Sequence, residues 1–165
     1  MSDEQLEALE RRLKELEDTF AIYQLVASYG PSIDGGANPE AGLLWTEDAW
    51  YDSDAPSAGP QGVHGRDGIN GVADMMANAD RGIAHITHMP IVKIDGDRAV
   101  VTGHSNTFHQ EGDEFHIGRI AANRWELERV DGTWQVRLRT NRMLDGSAGA
   151  KEVLARGVKE TLGKR

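Results

Sequence analysis

Two Asp-Gly dipeptides, each set between apolar-rich runs, constrain this chain more than any other feature. They occur in "HMPIVKI-DGD-RAVVTGHSNTFHQ" and "AANRWELERV-DG-TWQVRLRTNRM". Asp-Gly readily takes the positive-φ conformations of a tight hairpin turn, so both stretches predict antiparallel strand pairs. "EGDE" at 111–114 supplies a third turn. Residues of about 84–145 therefore read as a four-strand meander, a topology that must bury at least one face against something else.

The first half of the chain supplies that cover. Leu6, Leu9, Leu13, Leu16, Phe20 and Tyr23 recur at alternating spacings of three and four with charged residues between them. That pattern predicts a helix with one apolar stripe, read as core-facing, with packing on another subunit as the alternative. Gly30-Pro31 predicts that the helix ends or kinks, because proline lacks a backbone donor and crowds the preceding turn. A short helix over "PEAGLLWTE", a strand over "DAWYDSD" and a loop over "APSAGPQGVHG" follow. Ile69, Val72, Met75 and Met76 then fall near helical spacing in "RDGINGVADMMANAD". The tail "AKEVLARGVKETLGKR" predicts a terminal helix at about 149–162. Helices followed by an antiparallel meander predict an α+β fold, in one domain over 1–165, with N-terminal helices at about 4–45 on one face of a curved sheet.

Composition narrows the function. The chain has 165 residues, enough for a core without metal or disulfide support, and no cysteine, so thiolate chemistry is excluded. Its 18 Lys and Arg against 27 Asp and Glu give a net charge of −9, which argues against nucleic acid or an anionic membrane as partner. "MSDEQLEALERR" has no apolar core of a signal peptide, and no apolar run reaches membrane-spanning length. The expectation is a cytoplasmic protein.

Loops at 95–97, 111–114 and 131–132 set an expected register. His85 falls opposite Thr107, Met89 opposite Gly103, Ile91 opposite Val101, and Arg124 opposite Arg139. Ser105, Ile120, Ala122 and Met143 extend the face of His85, giving a mostly apolar lining with a few polar groups, as for a small apolar ligand. His88 falls on the other face beside His104, so His85-x-x-His88 on a strand cannot share one metal ion. No metal site is expected. His64 reads as solvated, His109 and His116 as a solvated cross-strand pair, and Arg124 and Arg139 as partners of nearby acids such as Glu126. Asp34 reads either as a turn or cap aspartate or as the partner of His85 in acid–base chemistry. Tyr29 reads either as a core tyrosine or as a hydrogen-bond donor to a developing oxyanion.

Tyr29, Asp34 and "H-x-x-H-x-P" from His85, in this order, resemble the SnoaL-like branch of the nuclear transport factor two superfamily. The resemblance runs from "LEALERRLKELEDTFAIYQLVASYGPSIDG" to "WELERVDGTWQVRLRTNRM". It implies a cone of curved antiparallel sheet closed by N-terminal helices, a cystatin-like α+β barrel. Within the branch the chain is similar to bile-acid 7α-dehydratases and hexachlorocyclohexane dehydrochlorinases, with scytalone dehydratase more distant. In the bile-acid enzymes a helix tyrosine, an aspartate five residues later and a strand histidine form the site, matching Tyr29, Asp34 and His85. The dehydrochlorinase pattern matches only Asp34 and His85, with lysine in place of Tyr29. Some relatives use an arginine near the end of the last strand, for which Arg142 is the nearest candidate. What the resemblance implies is a cofactor-independent, dehydratase-like lyase acting on a hydrophobic polycyclic or alicyclic substrate. His85 would be the base, Asp34 its orienting partner and Tyr29 an oxyanion donor. An isomerase or cyclase, a non-catalytic binding module and an accessory subunit stay open. A homo-oligomer is expected, a trimer before a dimer, both from the resemblance and because Val92, Val100, Trp125 and Leu138 need cover.

Overall fold

The computed structural model describes residues 1–78 and 82–163. The first element is a long helix, α1 (Asp3–Asp34), capped by Ser2, whose hydroxyl accepts from the Gln5 amide while the Gln5 side chain accepts from the Ser2 amide. Next come α2 (Glu40–Leu43), β1 (Trp45–Ser53), β2 (Val63–His64) and α3 (Gly65–Ala77). The second half holds β3 (Ile83–Thr87), β4 (Ile91–Asp95), β5 (Arg98–Glu111), β6 (Glu114–Val130), β7 (Thr133–Met143) and α4 (Ala148–Leu162). The hairpin turns fall where the Asp-Gly signals put them, and Asp131 is the one non-glycine residue with positive φ among those described, at 49°.

The fold is α+β with a curved mixed sheet ordered β2-β1-β7-β6-β5-β3, β4 pairing separately with β5. It is not wholly antiparallel: β1 runs parallel to β7. Nor does it close into a barrel, since its path ends at β2 and β3. The N-terminal helix α1 covers one face of the sheet, as expected, and the terminal helix adds cover on the other. Ile22, Leu25, Val26, Tyr29 and Ile33 of α1 pack with Trp125, Leu127, Val101 and Val136 on one face of the sheet. On the other, α4 lies against β4, β5, β6 and β7, and Gly157 sits so close to Thr102 that a Cβ would fall 2.0 Å from its hydroxyl. Trp125 and Val92 therefore face the core, and α4 supplies part of the cover for the opposite face.

Three bulges or slips separate the observed register from a straight count. His85 pairs with Thr107 as expected, but after Pro90 the pairing slips by one, so Ile91 meets Thr102 and Val92 meets Val101. Gly118 is the extra residue of a bulge in β6, which places Ala121, not Ile120, opposite Ser105. Arg137 is the extra residue in β7, so Arg139 meets Trp125 and Arg124 meets Thr140. Because side chains alternate, each single-residue shift turns every later side chain to the other face.

Two expectations for α1 are also corrected. The helix does not end at Gly30-Pro31 but continues to Asp34. Pro31 and Ala27, whose carbonyl loses its helical donor, are both exposed, so water can satisfy the orphaned group. The Leu6–Phe20 stripe is not core-facing, as Leu6, Leu9, Leu13, Leu16 and Phe20 are all exposed. α2 is shorter than expected because Trp45 and Thr46 are buried in β1, and the Leu44 carbonyl accepts from Val136 at 2.8 Å.

Gly30 governs how α1 meets β3. A Cβ there would fall 2.0 Å from the His85 carbonyl oxygen, so only glycine permits this helix–strand approach. Gly30→Ala is expected to cost at least about 1–3 kcal/mol, because rigid backbone must move to relieve the overlap. Urea unfolding checks this; a variant as stable as wild type would refute the packing described.

Candidate active site

Asp34, in the last turn of α1, reaches His85 in β3 with both carboxylate oxygens. Oδ2 accepts from the His85 backbone amide at 2.6 Å, and Oδ1 lies 2.5 Å from Nδ1. An ionised carboxylate only accepts, so Nδ1 is the donor in this contact, and in the neutral ring Nε2 is then the lone-pair nitrogen. The two side chains are only 21% and 16% exposed, Asp34 and His85 respectively. His85 lines a cavity of about 470 Å³, within the range of small-molecule sites, and Asp34 stands behind it.

Tyr29, Trp45 and Tyr51 line one end of this cavity, with Trp125 packed behind them. Tyr29 makes edge contacts with Trp125 at 5.4 Å and with Trp45 and His85 at 6.3 Å each, measured between ring centres. Burial pushes the Tyr29 phenol up from 10.0 to about 12, with the nearby Arg139 guanidinium opposing the rise. Tyr29 is thus a neutral hydrogen-bond donor throughout the physiological range. From α3, Ile69, Val72 and Met76 add an apolar wall.

Arg139 is the residue that sequence reasoning placed on the wrong side. It is 2% exposed and lines the cavity, its guanidinium carbon 4.1 Å from the Trp125 ring, 4.2 Å from Tyr29 and 5.1 Å from Tyr51. Nε and Nη2 donate to Asn123 Oδ1 at 3.0 and 2.8 Å, and Asn141 donates to the same oxygen at 2.8 Å. Nη1 is buried with no hydrogen-bond partner, and no carboxylate among the described residues pairs with this cation. Trp45 Nε1, beside the same rings, is also buried without a partner. Ring quadrupoles offset part of the cost of burying the charge, and the Tyr29 hydroxyl lies within hydrogen-bonding range of the guanidinium. Asn123 fixes the arginine and in turn donates to Ser105 Oγ at 2.7 Å. Arg119, another lining residue, donates to Asn141 Oδ1 and pairs with Asp54.

Of the expected lining residues, Ser105, Thr107 and Met143 are in the cavity wall. Met89, Ile120 and Arg142 are not. Met89 lies outside the strands and is 83% exposed, where Pro90 interrupts pairing. Ile120 is turned away by the Gly118 bulge. Arg142 is held by Asp52: Nη2 donates to both carboxylate oxygens, at 2.8 and 2.6 Å, and Nη1 to the backbone carbonyl at 2.9 Å. His109 does pair across strands with His116, as expected, but it lines the cavity rather than a solvated rim. Gly118 is what seats its ring, since a Cβ there would fall 2.0 Å from Cδ2. A glycine inside a strand signals a bulge or close approach, so "HIGR" carried a legible warning. Nothing comparable marks Arg137. His88 faces away, its Nε2 3.2 Å from Asn106 Oδ1, and its amide donates to the His104 carbonyl. Among the described residues no three His, Asp or Glu side chains converge as metal ligands.

Residues 14–140 match the model of the SnoaL-like domain. The chain belongs to this family. An NTF2-like protein with a cystatin-like fold from Novosphingobium aromaticivorans is 34% identical, with a TM-score of 0.83 over 93% of this chain and 99% of that one. Lower identities accompany the same fold in two further structures. Rv3472 of Mycobacterium tuberculosis is 19% identical, with a TM-score of 0.72 over 90% of each chain. A candidate scytalone dehydratase from N. aromaticivorans is 21% identical, with a TM-score of 0.67 over 78% of this chain and 85% of that one. No curated protein matches the chain. No helix of the SnoaL-like protein, among the described residues, is long and apolar enough to cross a membrane.

The Tyr29 environment has a pH signature. Its folded-state value of about 12 lies above the ordinary 10.0, so the stability it contributes is complete below pH 10 and is lost as pH rises through 12. Wild-type stability should therefore fall more steeply over that window than that of Tyr29→Phe. Parallel pH profiles in chemical denaturation would contradict the buried, protonated phenol.

Proposed function

We propose that this SnoaL-like protein is a cofactor-independent lyase of dehydratase type, acting on a hydrophobic polycyclic or alicyclic substrate. The observation that carries the reading is the Asp34–His85 contact, which leaves Nε2 as the lone-pair nitrogen of a ring lining the cavity. His85 Nε2 takes a proton from carbon next to, or conjugated with, a carbonyl. The bonding pair moves toward the carbonyl oxygen, then returns to form the new double bond as the leaving group departs at the neighbouring carbon. Asp34 holds the tautomer and stabilises the imidazolium, as triad aspartates do. Tyr29 and the Nη1 edge of Arg139 donate to the developing oxyanion. The likeness of Tyr29, Asp34 and His85 to the dehydratase pattern supports the same assignment.

His109 gives elimination an advantage over isomerisation, which uses the same base. It is a second imidazole on the cavity wall, two residues along the pairing ladder from the His85–Thr107 pair. Departure of hydroxide as water needs a proton, and an imidazole supplies one near neutral pH. The product is then the unsaturated ketone plus water.

Solvent deuterium exchange separates proton abstraction from the rest. With alicyclic and polycyclic hydroxy-ketones in D2O, wild type should wash deuterium into the acidic carbon and release water. His85→Ala and Asp34→Asn should stay folded by circular dichroism and lose on the order of 10²–10⁴-fold in both. His109→Asn should slow water loss more than exchange, and His88→Ala should leave both near wild type. A folded His85→Ala that exchanges at the wild-type rate would refute the mechanism. Saturable binding without exchange by wild type would instead favour a binding module.

A further inference from the structure

Helix α1 carries two apolar stripes that face in opposite directions. Ile22, Leu25, Val26, Tyr29 and Ile33 are buried against the sheet. Leu6, Leu9, Leu13, Leu16 and Phe20 are 43%, 50%, 54%, 68% and 63% exposed. At about 100° per residue the centres of the two stripes lie roughly 160° apart, so the chain's own sheet cannot reach the second one. The packing of α1 on the domain begins near Asp18, which pairs with Arg129 at 2.8 Å and accepts from Trp134 Nε1 at 3.3 Å. Everything before it projects outward as helix. Isolated helices of this length are marginal in water, and most helical stability comes from packing an apolar face.

The spacing of the outward stripe is that of a heptad seam, with Leu6, Leu13 and Phe20 at the first apolar position and Leu9 and Leu16 at the second. The flanking charges choose the orientation. Glu10 and Glu17 lie on one flank and Arg12 on the other, and Arg12 and Glu17 form no ion pair within their own chain among the described residues. In a parallel, in-register pair of helices, Arg12 of each copy faces Glu17 of the other. In an antiparallel pair the two glutamate flanks would face each other, which is repulsive.

We propose that the occupant of this stripe is a second copy of the chain, joined through a parallel, in-register coiled coil of the α1 N-terminal half. The seam lies away from the cavity, so the proposal is independent of the catalytic reading. It provides the contact through which two or three copies of the chain would join.

The absence of cysteine makes the test direct. A Leu13→Cys variant puts a thiol on the seam, and Arg11→Cys puts one on the side of the same helix opposite the seam. In a parallel seam the two thiols of the first variant meet in one layer. Local concentration then reaches roughly the millimolar range, so oxidation at micromolar chain should be at least about tenfold faster than for Arg11→Cys. Light scattering should give a multiple of 18.1 kDa for wild type and a smaller mass for Leu13→Glu/Leu16→Glu, with circular dichroism still showing the folded sheet. Equal cross-linking of the two cysteine variants would overturn the proposal. So would a wild type that is monomeric, or a double variant that keeps the wild-type mass.

Discussion

One carboxylate makes two bonds that tie the helical layer to the sheet. Asp34 accepts from the His85 amide and from its ring nitrogen at once, so the same contact fixes where β3 meets α1 and which imidazole nitrogen points away from the carboxylate. Gly30, one helical turn earlier, permits the approach by offering no Cβ to the His85 carbonyl. A backbone fit and a tautomer are thereby set by the same five residues of helix. An imidazole held between packed helix and strand, rather than on a loop, keeps its orientation without ligand.

The other end of the cavity obeys a different constraint. Burying a guanidinium costs several kcal/mol unless its charge and donors are satisfied. Here Asn123 holds two donors of Arg139, three rings crowd its faces, and the Tyr29 hydroxyl lies within hydrogen-bonding range. Under the proposed function, the apolar walls take the body of the substrate and the arginine favours an oxygen that gains negative charge. Tyr29 touches both ends, within 6.3 Å of the His85 ring and 4.2 Å of the Arg139 carbon. Its buried, protonated phenol can report on either.

How far the sequence revealed this depends on whether the signal was local. The Asp-Gly turns placed the hairpins, and counting back from them paired His85 with Thr107. His85, Ser105 and Thr107 were thus legible, while Asp34 was singled out as partner of His85 by the resemblance. Bulges were not. Gly118 and Arg137 each shift the ladder by one residue, which exchanged Ile120 for Ala121 opposite Ser105 and moved Arg139 from the Arg124 side into the cavity. Arg142, picked out by resemblance, is occupied by Asp52. The long α1 pattern misled for a related reason. Two stripes on one helix overlap in sequence near Phe20–Tyr23, and periodicity alone does not say which face the sheet will take. Gly30-Pro31 read as an end or a kink because proline removes one bond, whereas the exposed positions of Pro31 and Ala27 leave the freed carbonyl to water.

Nitrogen NMR of His85 tests the central claim most directly. At about pH 8, above the ordinary imidazole range, the wild-type ring should show a protonated Nδ1 and a bare Nε2. Asp34→Asn should release that preference while leaving the fold intact. A ring protonated at Nε2 in wild type, or one whose tautomer ignores Asp34→Asn, would contradict the account.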